Sequence, residues 1–185
     1  YKDITCLAYG DNYDIYAGAG DVGLYKSTDY GSTWDLISLQ SFRIFSLKFV
    51  SDNLSGKLYA GTNQDLQIST DGGNNFSLLW DDTYPQTPVE DKVLSIHING
   101  DNIYIGTEDN GCWLSTDVGD NWLQKSSGMQ AGSGVYSINE YDGKLYAATE
   151  NGLYKADTPL NNWTTCYVRD YSYQSAFPAE TGTKM

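Results

Sequence analysis

Ser27-Thr28-Asp29-Tyr30-Gly31-Ser32-Thr33-Trp34 decides how this chain is read, because it returns twice in register. Ser69-Thr70-Asp71-Gly72-Gly73-Asn74-Asn75-Phe76 repeats it with Asn for Thr and Phe for Trp, and Ser115-Thr116-Asp117-Val118-Gly119-Asp120-Asn121-Trp122 repeats it again. A fourth copy, Lys155-Ala156-Asp157-Thr158-Pro159-Leu160-Asn161-Asn162-Trp163, is degenerate and one residue longer. Within a tight turn a short carboxylate accepts backbone N–H groups, and glycine adopts a positive φ without penalty. The closing aromatic packs between neighbouring sheets. Calcium ligation or acid catalysis by Asp29, Asp71 and Asp117 would need these carboxylates to converge, and one carboxylate per repeat does not. The turn is therefore read as structural.

Working outward, each turn belongs to a unit recurring about every 40 to 46 residues. Ile15-Tyr16-Ala17-Gly18-Ala19 returns as Leu58-Tyr59-Ala60-Gly61-Thr62, Ile103-Tyr104-Ile105-Gly106-Thr107 and Leu145-Tyr146-Ala147-Ala148-Thr149. Alternating elements open the units: Ile4 to Tyr9, Ile44 to Phe49, Val93 to Ile98 and Val135 to Glu140. Each unit reads as four short strands separated by Gly, Asn and Asp turns, and nothing sustains a helical period. The expected fold is all-β, a β-propeller of four-stranded antiparallel blades. Its blades run approximately over 1–40, 41–88, 89–130 and 131–168, with a tail at 169–185. In that tail Tyr171-Ser172-Tyr173-Gln174 aligns with the opening strands and reads as the start of a fifth unit.

The turn pattern resembles the Asp-box, or BNR, repeat of sialidases, xyloglucan-degrading glycosidases, sortilin-type receptors and photosystem II assembly factors. The resemblance rests on Ser27, Asp29, Gly31 and Trp34, on Ser69, Asp71, Gly73 and Phe76, and on Ser115, Asp117, Gly119 and Trp122, with Asp157 and Trp163 as the degenerate copy. It implies that the turns sit on the propeller rim and that rings often hold five to seven or more blades. A propeller has to cover both faces of every sheet. Two readings follow: a piece of a larger ring, or a four-bladed ring with an irregular tail. An incomplete ring could also be completed by self-association.

Charge removes several functions. Eleven Lys and Arg stand against 24 Asp and Glu, for a formal net charge of -13, whereas nucleic-acid binding needs clustered cations. Only Arg43 and Arg169 are arginines. The resemblance to sialidases implies a three-arginine clamp on the substrate carboxylate, which two arginines cannot build. There is no apolar run long enough to span a bilayer, no phosphate-binding glycine loop and no nucleophile motif; Gly18-Ala19-Gly20 reads as a turn. Cys6, Cys112 and Cys166 match no metal spacing, and no D-x-D-x-D-G run supports calcium, although a structural calcium ion would suit the charge.

Candidate ligand contacts fall in two places. Opening strands would carry a column of Lys48, His97 and Asn139 beside Ser46, Ser95 and Ser137, facing the central channel or the adjoining sheet. Loops opposite the turns would carry Asp65, Glu108, Asp109 and Glu150, together with Trp80 and Tyr84 in the long insertion 80–91. Aromatics beside carboxylates and amides suit sugar stacking and hydroxyl recognition. The expectation is a non-catalytic, secreted or cell-surface binding or scaffold module for a glycan or a protein. The alternative is a piece of a xyloglucanase-like glycoside hydrolase using paired carboxylates.

Overall fold

A computed structural model describes residues 3–51, 56–81, 91–158 and 160–167. Among these residues, sixteen strands form four antiparallel sheets in strict chain order. The first sheet holds β1 (Ile4–Tyr9), β2 (Ile15–Ala19), β3 (Gly23–Ser27) and β4 (Asp35–Ser38). The second holds β5 (Ile44–Val50), β6 (Lys57–Thr62), β7 (Asp65–Ser69) and β8 (Ser77–Asp81). The third holds β9 (Val93–Asn99), β10 (Asn102–Thr107), β11 (Cys112–Ser115) and β12 (Leu123–Gln124), and the fourth β13 (Val135–Tyr141), β14 (Lys144–Thr149), β15 (Gly152–Asp157) and β16 (Thr164–Tyr167). A 3₁₀ turn, Asp11–Tyr13, joins β1 to β2. No helix among the described residues is long and apolar enough to cross a membrane.

The sheets stack face to face like blades. β1 packs on β5, β5 on β9, and β9 on β13. Every strand therefore has a forward face, toward the next sheet, and a backward face, toward the previous one. Three apolar clusters fill the joints. Tyr16 and Leu24 meet Ile44, Leu58 and Ala60 in the first. Tyr59 and Leu66 meet Val93, Ile103, Ile105 and Trp122 in the second. Tyr104, Cys112 and Leu114 meet Val135, Ile138, Ala147 and Trp163 in the third. Dense apolar burial of this kind is the main stabilising contribution.

Close approach at each joint depends on one glycine. A β-carbon on Gly106 would lie 2.6 Å from the Val135 carbonyl oxygen and 2.4 Å from Ser95 Oγ; one on Gly61 would lie 2.5 Å from that of Val93. Gly18 is as confined, against Cys6 and Ile44. The fourth sheet carries Ala148 at this position, paired with Ser137 as Gly106 is with Ser95.

The fourth unit also departs from the expected alignment of its turn. Ile15 pairs with Ser27, Leu58 with Ser69 and Ile103 with Ser115, but Leu145 pairs with Ala156. Thr158, not Asp157, thus occupies the position of Asp29, Asp71 and Asp117, and Asp157 instead pairs with Lys144 across the strands. The longer turn displaced the sequence alignment by one residue. Cys6, Cys112 and Cys166 are all free thiols.

Candidate functional site

Each Ser-x-Asp-x-Gly turn is a closed hydrogen-bond unit. Ser27 Oγ donates to Asp29 Oδ1 at 2.9 Å and accepts from the Gly31 N–H at 2.8 Å. Asp29 also accepts from the Thr33 N–H and hydroxyl, and Trp34 Nε1 donates to the Gly31 carbonyl at 3.0 Å. Ser69, Asp71, Gly73 and Asn75 reproduce the arrangement, as do Ser115, Asp117, Gly119, Asn121 and Trp122. Two successive left-handed residues shape the turn, with φ 58° and 84° at Tyr30 and Gly31. The N–H and hydroxyl bonds from Thr33, with that from Ser27, lower the pKa of Asp29; the side-chain and backbone bonds from Asn121, with that from Ser115, lower that of Asp117. Asp71 falls to about 2, chiefly through the Asn75 backbone N–H. Carboxylates so engaged are turn-forming groups held ionised, the opposite of an acid catalyst.

In the column on the opening strands, Ser46, Ser95 and His97 reach the adjoining sheet. Ser46 Oγ donates to the Val93 carbonyl and Ser95 Oγ to that of Val135. His97 Nε2 lies 3.3 Å from Glu140 Oε2, which also accepts from Asn99 Nδ2 at 2.8 Å. Asn139 Nδ2 donates to Ser137 Oγ within its own strand, and Lys48 is half-buried. Beside His97, the buried Tyr104 hydroxyl lacks a hydrogen-bond partner among the described residues. Its counterpart Tyr16 donates to the Gly72 carbonyl of the next sheet's turn at 3.2 Å.

On the opposite face, the four expected carboxylates separate by environment. Asp65 is buried, accepting from Thr62 Oγ1 at 2.6 Å and from Gln67 Nε2 at 2.7 Å. Glu108 is ion-paired with Lys92. Asp109 and Glu150 are exposed. The Trp80 side chain and all of Tyr84 lie outside the described residues.

Asp91, not singled out from the sequence as a contact, organises this face. Buried at the foot of the third sheet, it accepts the N–H groups of Glu108, Asp109 and Asn110 at 3.0 to 3.1 Å, and Asn110 Nδ2 at 2.9 Å. One carboxylate thereby fixes the β10–β11 loop. Beside that loop opens a cleft of about 410 Å³, lined by Asp109, Asn110, Gln124, Ser126, Ser127 and Gln130 among others. Gln124 Nε2 and Ser126 Oγ both donate to the Asn110 carbonyl, at 2.8 and 3.3 Å. The connector from β12 to β13 forms the other wall; the sequence reading places the loops joining successive units on this face, but names none of this connector's residues. Its only signal was a run of small polar residues. Among the described residues no group of three or more His, Cys, Asp or Glu is placed to hold a metal ion.

No protein-family profile matches the chain, and no curated protein matches it significantly in sequence. Solved structures do resemble it. An ancestral GH74 enzyme aligns with a TM-score of 0.74 at 22% identity, covering 91% of this chain and 24% of that one. The extracellular domain of a B. thetaiotaomicron protein, BT4673, assigned as a hybrid two-component system, aligns with a TM-score of 0.73 at 18% identity, covering 92% and 22%. YCF48 from Cyanidioschyzon merolae aligns at 0.68 and 14% identity, covering 92% and 57%. These similarities show the fold. The chain has β-propeller architecture and spans about a quarter of the length of the GH74 and BT4673 structures.

Proposed function

We propose that this chain is a non-catalytic binding or scaffold module, and that it recognises a glycan or a protein through the loop face opposite the Ser-x-Asp-x-Gly turns. The cleft beside Asp109 carries the reading. It offers carboxylate, amide and hydroxyl groups, with one wall pinned by Asp91 and the other bonded to the Asn110 carbonyl, which suits ligands rich in hydroxyl or amide groups. A location outside the cell belongs to the same proposal; BT4673 supplies an extracellular neighbour of this fold. Another structural neighbour is YCF48 bound to D1 peptide, a propeller with a peptide ligand.

The experiment is a titration against panels of oligosaccharides and peptides, read by calorimetry. Saturable binding that weakens at least tenfold in Asp109→Ala or Gln130→Ala supports the reading, a loss of about 1.4 kcal/mol. Saturable binding unaffected by either change moves the site elsewhere, and silence across both panels from folded protein removes the proposal.

The second reading, part of a glycoside hydrolase, draws on the two GH74 neighbours. It requires a pair of free carboxylates about 5 to 9.5 Å apart. Asp65 and Glu108 are already engaged by Thr62, Gln67 and Lys92. Hydrolysis of β-glucans at enzyme-like rates would establish that reading in place of the first.

A further inference from the structure

The backward face of the first sheet is built like an interior joint, yet among the described residues no other sheet packs on it. Ile4 is 53% exposed, whereas its counterparts Ile44, Val93 and Val135 are each 0%. Leu7 is also 53% exposed, against 4% for Ile138 in the fourth sheet. Trp34 is 38% exposed, against 4% for Trp122 and 2% for Trp163. With Ala17 and Tyr25 these side chains form an apolar groove of about 470 Å³. An exposed apolar surface of this kind marks an interaction site.

The three interior joints show what such a face receives. In each, the backward face of one sheet is covered by the forward face of the sheet before it. Among the described residues, one forward face remains uncovered: that of the fourth sheet. There Leu153 is 37% exposed, while Leu24, Leu66 and Cys112 at the same position are 0%. Among the described residues the first and fourth sheets do not pack on each other.

We infer that the open backward face of the first sheet docks on the open forward face of the fourth sheet in a second copy of this chain. The joint is heterologous, with two different surfaces meeting. Two copies head to tail satisfy both surfaces at two identical joints and close an eight-bladed ring. The occupant follows from continuity with the interior joints: the surface that covers a backward face three times in this chain is the one left exposed at its other end.

One residue sets this joint apart. Ala148 stands where Gly18, Gly61 and Gly106 admit the opening strand of the next sheet. Its β-carbon holds that strand, Ile4 to Tyr9 of the second copy, slightly further away. The joint between copies is thus looser than those within a copy, and its strength responds to this one methyl group.

Sedimentation velocity on the 185-residue chain at micromolar concentration provides the test, with circular dichroism to confirm folding. The expected result is a concentration-dependent species of twice the 20.5 kDa chain mass. Leu7→Lys and Leu153→Lys each convert it to monomer. Mixing those two variants restores a dimer, because one joint then has both faces intact. Ala148→Gly tightens the dimer several-fold. A wild-type chain that stays monomeric overturns the inference. So does a dimer that survives Leu153→Lys, since that result points to a symmetric contact between two first sheets.

Discussion

In the second turn the Asp71 carboxylate accepts the N–H groups of Asn75 and Asn74 and the hydroxyl of Ser69. These bonds favour the ionised form, so its pKa lies at about 2 when folded against 3.8 when free. A group with a depressed folded pKa stabilises the fold above its unfolded value, and that contribution is lost as pH falls through the folded value. Asp71→Ala should therefore lower the melting temperature at pH 7, and the gap to wild type should close between about pH 4 and pH 2. A gap independent of pH would show that the charge is not what the turn uses. Asp91 likewise holds local structure through one side chain. Asp91→Ala removes the acceptor for three N–H groups, and should cost roughly 2 to 4 kcal/mol in chemical denaturation while weakening ligand binding at the cleft. Asp29, Asp71 and Asp117 were legible in the sequence because their partners lie within four residues. Asp91 was not, because its partners lie 17 to 19 residues away and only the pairing of strands brings them in.

At the level of elements, the opening strands show as alternation and the second strands as a recurring Leu/Ile-Tyr-Ala/Ile-Gly core. Both patterns are dictated by faces buried between sheets. The outer strands are faint in sequence because they are short, β12 spanning only Leu123–Gln124. The register of the fourth turn was likewise invisible: Pro159 and the extra residue allow two alignments, and the pairing of Leu145 with Ala156 selects one of them. Joint geometry makes its own prediction. Gly106→Ala places a β-carbon against the Val135 carbonyl and the Ser95 hydroxyl. The third and fourth sheets must then part, at a cost of about 1 to 3 kcal/mol, read as a lower denaturation midpoint with unchanged slope. An unaltered midpoint would mean that the joint is softer than its distances indicate.

Across the whole molecule the chain carries a formal charge of -13, and its four stacked sheets have two ends that differ in use. The turns at one end are spent on their own hydrogen bonds. At the other, the loops leave Asp109, Gln130 and their neighbours free to face a cleft. The repeat made the architecture legible from sequence. The cleft was half legible: Asp109 and its loop follow from strand order, whereas the β12–β13 wall depends on how a connector folds back against the Asn110 carbonyl. The central claim, binding through the loop face and not the turn face, is tested most directly by amide hydrogen exchange of the chain with and without a saturating ligand from the binding panels. The account predicts slowed exchange at residues 108–111 and 124–132, with the turns at 27–34, 69–76 and 115–122 unchanged. Protection confined to those turns would contradict it.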